Sequence, residues 1–162
     1  LDHGQAHIAV RAGPRPDEGD YIAQHLAHLS SGFYASKRYI DKHGVPKSIK
    51  QLPLHNFVSG VAGYNGKVPY FVWVDENIPT SQVKLRVSET SEATRAIVKG
   101  LGIGGMQHDV AAQYADLVPI LADELSWPTD LWLVTHHLVH RTAKVQAFSQ
   151  LLKAYFKEHK LA

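Results

Sequence analysis

The hydrophobic period changes between Val83 and Gly100, and neither an all-helical nor an all-strand fold accommodates that change. Val83, Leu85 and Val87 alternate with Lys84, Arg86 and Ser88, the period of two that lays one face of a strand on a core. From Thr90 to Lys99 the apolar positions become Ala93, Ala96 and Ile97, the spacing of a helical stripe. Glu89 and Glu92 stand near the positive end of that helix dipole and Lys99 near the negative end, with Gly100 placed to end the helix.

The same succession recurs along the chain. His7 to Val10 reads as a short buried strand cut by the turn-rich loop Gly13-Pro14-Arg15-Pro16-Asp17. Ser31 to Ala35 predicts a strand leading into a helix from Ser36 to His43, with Ser36 as N-cap, Gly44 as the stop and Pro46 beyond it. Asn65-Gly66 between Val61-Ala62 and Val68 to Val74 predicts a hairpin, its second strand the aromatic run Tyr70-Phe71-Val72-Trp73-Val74. Leu101 to Met106 predicts a short buried strand whose glycines allow close packing, Asp109 to Ala115 a short helix, and Leu117 to Leu121 and Leu131 to Thr135 further strands. Thr142 precedes an amphipathic helix whose apolar face carries Val145, Phe148, Leu152, Tyr155 and Phe156. Alternating strands and helices predict an α/β fold with a mostly parallel sheet, which binds ligands at the carboxyl ends of its strands or between lobes.

Composition narrows the function. With 162 residues and 44% hydrophobic content the chain has enough material for one domain or two small lobes, and it is neither disordered nor, with no Cys, a disulfide scaffold. The 17 Lys and Arg nearly balance the 15 Asp and Glu, so charge alone does not point to nucleic acid. No apolar run reaches the roughly 18 to 20 residues of a membrane span, and Leu1 to Gln5 has no signal-peptide character. The expectation is a cytoplasmic protein without membrane contact.

Several residues invite chemistry. His136 and His140, His137 and His140, and His25 and His28 have helical spacings that suit metal ligation. His25 and His28, however, border a predicted strand, where residues three apart face opposite sides, and no HExxH or Cys partner exists. Solvated imidazoles are the reading adopted, with no metal and no cofactor. Gly100-Leu101-Gly102-Ile103-Gly104-Gly105 resembles a phosphate loop but follows a helix instead of leading from a strand into one, which puts the anion-binding helix end in the wrong place. There is no GxSxG elbow; Ser59-Gly60 reads as a hydrogen-bonding turn serine, and the aromatic groups Tyr70 to Trp73 and Trp127 with Trp132 read as core. Arg11, between a strand and the Gly13-Pro14 loop, is placed to grip a carboxylate with two parallel hydrogen bonds.

Taken in order, five segments resemble the effector-binding domain of the LysR-type transcriptional regulators. Ala6 to Gly13 resembles the family's DLAIRxG segment; Phe33 to Ser36, Tyr39-Ile40 and His43 to Pro46 resemble ASPxYLxxHGxP; Leu52 to Val58 resembles LxxHxxI. Val87 to Ile103 is similar to VNDxxAxxxAxxAGLGIxxLP, and Leu117 to Asp123, Leu131 to Val134 and the last helix are similar to LVPVLPD, LWLVYP and VRAFIDFL. Ser88-Glu89 and Met106-Gln107 depart from the usual Asn-Asp and Leu-Pro.

The resemblance implies a fold like the type 2 periplasmic binding proteins, two α/β lobes joined by two crossover segments, with a small-molecule effector in the cleft between them. It assigns residues 1–28 and 127–162 to the first lobe and 29–126 to the second. Carried over residue by residue, the effector contacts are Arg11, Ala12 and Gly13 from the first lobe and Ser59, Gly60, Val61, Glu89 and Thr90 from the second. It further implies no catalysis, assembly as a homodimer or homotetramer, and promoter binding only through an amino-terminal winged helix-turn-helix domain that, with the first strand and helix of the effector domain, this sequence lacks. The alternatives are a solute-binding protein of a transport system and, last, a metal-dependent enzyme built on His136 and His140.

Overall fold

The structure, a computed structural model, describes residues 6–17, 19–61 and 68–158. The chain forms two compact units, one of residues 1–29 with 128–162 and one of residues 30–127. It passes between them twice, within β2 (Tyr21–Ser36) and next to the start of β7 (Ser126–His136).

In the first unit β1 (Ile8–Ala12) pairs antiparallel with β7, from Ile8 opposite Thr135 to Ala12 opposite Leu131, and β7 also neighbours β2. The strand at His7 to Val10 thus forms, but it is not buried. Among the described residues it is an edge strand, paired with β7, and Val10 is 48% exposed. Among the described residues of this unit, Leu26, Ala27, Leu29, Leu133, Val134 and Val145 are the buried apolar ones. α5 (His137–His140) precedes α6 (Ala143–Glu158), whose inward face is Val145, Ser149, Leu152 and Phe156. Phe148 and Tyr155, expected on that face, are exposed. Ser149 takes an inward position because its hydroxyl donates to the Val145 carbonyl at 2.7 Å, which leaves the small side chain no unmet polar group.

The second unit is built round the carboxyl-terminal part of β2, which pairs antiparallel with β5 (Gly104–Gln107) and β6 (Leu117–Ile120). β3 (Phe57–Gly60) and β4 (Val83–Val87) pair in parallel, as strands joined through a helix do, and β3 is tied to Ile103 at the start of β5. The mostly parallel sheet is therefore not what forms, because β2 pairs antiparallel with β5 and β6, and β7 pairs antiparallel with β1. Two successive β3 residues, Phe57 and Val58, face Val83 and Leu85, so β4 bulges at Lys84. The bulge breaks the expected alternation: Leu85 is exposed and Arg86 half-buried.

The largest departure lies at the aromatic run. Pro69–Asn77 is a helix, α2, and not the second strand of a hairpin; Asn65 and Gly66 fall outside the described residues. Pro69 suits a first helical turn, and Tyr70, Phe71 and Val74 share the buried face. Phe71 lies against Gly60 and Tyr70 against Gly105, so packing on two bare strand backbones overrides β propensity. Trp127 packs edge-on to Phe33, Tyr70 and Trp73 in this unit, whereas Trp132 belongs to the first unit, so the two tryptophans do not form one cluster. α3 (Thr90–Val98) and α4 (His108–Ala111) complete the unit.

A polar latch fixes the entry to β3. Ser36 caps α1 (Lys37–His43) by accepting from the Tyr39 N–H, and Gly44 at φ 76° ends it. Tyr39 is buried, its ring stacked on His43 at 4.4 Å. The Asn56 N–H donates to its phenol oxygen at 2.9 Å, which leaves the phenol O–H for His55 Nδ1 at 3.2 Å. Burial, and then the charge of His43, push the His55 pKa down. The unfolded chain therefore binds more protons than the folded one as pH falls through the ordinary His range. Stability held above about pH 6.5 is expected to drop as the solution is acidified, and His55→Asn is expected to flatten that dependence in urea denaturation between pH 7.5 and 5.5. An equal acid loss in the variant assigns the effect elsewhere.

Candidate functional site

In the second unit the carboxyl ends of the parallel pair meet. Gly60 pairs with Val87, and the Val61 N–H donates to the Val87 carbonyl at 2.9 Å. Beyond Val87 the chain turns through Ser88 and Glu89 into α3, so Ser59, Gly60, Val61, Glu89 and Thr90 are brought to one end of this unit. Glu89 occupies the N-cap position without a side-chain capping bond, and Glu89 and Thr90 are exposed; the Glu92 N–H donates to the Glu89 carbonyl at 3.1 Å, and the cap side chain takes none of the earlier amide groups of the first turn.

Ser59 is not a turn residue with a partner. It lies on β3, fully buried, and its Oγ is the one buried side-chain polar atom among the described residues without a hydrogen bond. A buried hydroxyl left unpaired is costly, and sites for ligands keep such groups.

Two residues outside the predicted set shape this end. Arg86 donates from Nη1 to the Gly60 carbonyl at 2.7 Å and to Asp75 Oδ1 of α2 at 2.8 Å. One guanidinium thereby holds the last carbonyl of β3 and the helix that covers it. Strand alternation hid this, by assigning Arg86 to solvent, and the strand reading of Tyr70 to Val74 hid the helix that carries Asp75.

Arg11, Ala12 and Gly13 belong to the first unit. Arg11 lies within β1, not after it, opposite Trp132, with its guanidinium 5.6 Å from the centre of the Tyr21 ring, a cation–π distance. Gly13, at φ 112°, donates its N–H to the Asp130 carbonyl at 2.9 Å and accepts at its own carbonyl from Trp132 Nε1 at 2.9 Å. The positive φ makes glycine the residue of choice there.

Contrary to the opposite-face expectation, His28 Nδ1 and His25 Nε2 both bond Asp130 Oδ1, at 2.9 and 3.1 Å. The burial alternation of β2 slips where Leu26 and Ala27 are both buried, which returns His25 and His28 to one side. Hydrogen bonds from His28 and then His25 hold the Asp130 carboxyl below its usual pKa. Of the other spaced histidines, His136 lies outside α5 as its N-cap, accepting from the Leu138 N–H, while on α5 His140 bonds the Thr135 hydroxyl and His137 the Asp20 carbonyl. Among the described residues no group of three His, Cys, Asp or Glu is arranged to hold a metal, and no helix is long and apolar enough to cross a membrane.

This fold and this strand-end arrangement define a class. The family model described as LysR substrate binding domain matches residues 1–157, and the chain belongs to that family. Its fold is that of the type 2 periplasmic binding proteins. Among solved structures it is similar to the full-length virulence activator AphB of Vibrio cholerae, a member of the LysR-type family, at TM-score 0.76 and 21% identity over 96% of this chain and 54% of that one. It is also similar to the regulatory domain of CrgA from Neisseria meningitidis, at TM-score 0.74 and 21% identity, covering 96% of this chain and 75% of that one. A third is the regulatory domain of CcmR from Synechocystis PCC6803 in complex with 2-PG, at TM-score 0.68 and 16% identity over 93% and 74%. The chain thus spans about half the length of full-length AphB. No curated protein sequence matches it. The family match favours a regulator's effector-binding domain over a transport solute-binding protein.

Proposed function

We propose that this chain binds a small organic acid through Ser59, Gly60, Val61, Glu89 and Thr90 of one unit and Arg11, Ala12 and Gly13 of the other, with residues 29–126 and residues 1–28 with 127–162 serving as the two effector-binding lobes. Binding shifts a conformational equilibrium and thereby changes promoter binding by a helix-turn-helix domain of the same regulator. The regulator works in the cytoplasm as a homodimer or homotetramer and catalyses no reaction. The observation that carries the ligand site is the buried, unpaired Ser59 hydroxyl at the carboxyl end of β3. The small-molecule complex of the similar CcmR domain supports the same kind of use. Arg11 supplies the charge that an organic acid needs, and Gly13, with open space where a side chain would start, leaves room for a ligand to reach the backbone.

The test is thermal unfolding of the chain against a panel of small carboxylic and phosphorylated acids. At a hundred times its Kd a true effector stabilises by about 2.7 kcal/mol, and Arg11→Ala is expected to remove most of that gain. A panel without any stabilising acid, or an effector indifferent to both Arg11→Ala and Ser59→Ala, overturns the assignment.

A further inference from the structure

The second unit carries another surface, at the amino ends of β3 and β5. There the chain just before β3 runs beside the chain just before β5: the Ile103 N–H donates to the Asn56 carbonyl at 2.8 Å, and a side chain on Gly102 would start 2.5 Å from that oxygen. This contact sets two leucines on neighbouring segments, Leu54 at 78% and Leu101 at 39% exposure. The stem of Arg38 on α1 passes 3.6 Å from where a side chain on Gly100 would start, between Lys99 and Leu101. Lys42 follows one turn after Arg38 on α1, and Lys42 and Lys99 are exposed.

The charge is one-sided. Residues 37–50 carry five Lys or Arg and one acidic residue, Asp41. Lys37, spaced to lie beside Asp41 on α1, also pairs with Asp116 at 3.5 Å, whereas Arg38, Lys42 and Lys99 enter no ion pair among the described residues. The result is an apolar centre with a cationic rim, the composition of a protein interface.

We propose that this surface docks an acidic segment of a partner protein, one whose apolar side chain covers Leu54 and Leu101 while its carboxylates meet Arg38, Lys42 and Lys99. Cationic groups alone would suit a phosphate backbone equally, but a backbone offers nothing to take the leucines out of water. Within this unit Ser59 and Gly60 lie at the opposite end of β3, so the docking surface is separate from them.

The experiment uses the whole chain and a fluorescein-labelled peptide of Asp, Glu and Leu as the probe, read by anisotropy at low and raised salt. Binding is expected to weaken with salt, and to fall about tenfold both in Leu54→Ser/Leu101→Ser and in Arg38→Glu/Lys99→Glu. Val72→Ser, an exposed apolar residue on α2, is expected to change nothing. No binding at low salt, binding unaffected by the leucine substitutions, or displacement of the peptide by an equal charge of random-sequence duplex DNA overturns the proposal.

Discussion

Ser59→Ala is expected to make the ligand-free chain more stable and its effector binding weaker. The hydroxyl is buried with no partner, so its desolvation, about 1–3 kcal/mol for such a group, is uncompensated until a ligand supplies a hydrogen bond. Removing one oxygen from a small side chain leaves little void, and the free chain is expected to gain about 1 kcal/mol, or roughly 2–4 °C in Tm for a chain of this size. The same change is expected to weaken the effector by about 0.5–1.5 kcal/mol, the net worth of one hydrogen bond. Calorimetry with and without the effector gives both signs in one experiment. A loss of stability in the free variant would show that the hydroxyl is paired inside the folded chain and is not held for a ligand.

Gly105→Ala is expected to be the most damaging of the conservative changes on β5. Its new methyl group would overlap the Tyr70 ring, which is buried and packed edge-on to Phe71 and Trp127. Overpacking of this kind costs about 1–3 kcal/mol and more where neighbours cannot move. With backbone below and aromatic rings above, the upper figure applies, and Tm is expected to fall by roughly 6–12 °C. Gly19→Ala, with open space around it, is expected to be neutral. Combining Gly105→Ala with Tyr70→Leu is expected to restore part of the loss, a coupling that appears only if the two residues touch. A neutral Gly105→Ala would mean that Tyr70 stands elsewhere and that the helix Pro69–Asn77 is wrong.

That helix shows where local reading of the sequence ends. Ser36 and Gly44 announce α1, and Gly100 announces the end of α3, because capping is short-range and a cap residue carries its own hydrogen bond or its own φ. The run from Tyr70 to Val74 carries strong β propensity, yet the glycines Gly60 and Gly105 that favour a helix there are distant in sequence. Burial on α6 has the same character. Its stripe of large residues is correct as a helix pattern, but Ser149 turns inward while Phe148 and Tyr155 stay in water, and the rotation of a helix is decided by what it lies on.

The candidate site was legible in part and for a reason that can be named. Ser59, Gly60, Glu89 and Thr90 were reached through family resemblance, and the structure gathers them because a parallel pair joined through a helix ends both strands at the same edge. Arg86 was hidden by the bulge at Lys84, since alternation counted through a bulge gives the wrong face. Likewise, the pairing of His25 and His28 with Asp130 depends on a slip in β2 that no composition of residues 21–36 declares. The unpaired state of Ser59 is a property of its surroundings and has no signature in the residue itself.

The chain order of the first unit has a consequence for its birth on the ribosome. Ala12 pairs with Leu131, so β1 leaves the exit tunnel long before its partner is made. At about 5–20 residues per second the intervening stretch takes roughly 6 to 24 seconds to synthesise. During that interval residues 30–127 can finish their own core while β1 waits as a nascent, unpaired strand with Val10 in water. This is the stage at which a ribosome-bound chaperone would have most to hold, and at which slow translation of residues 128–162 would be most costly to yield.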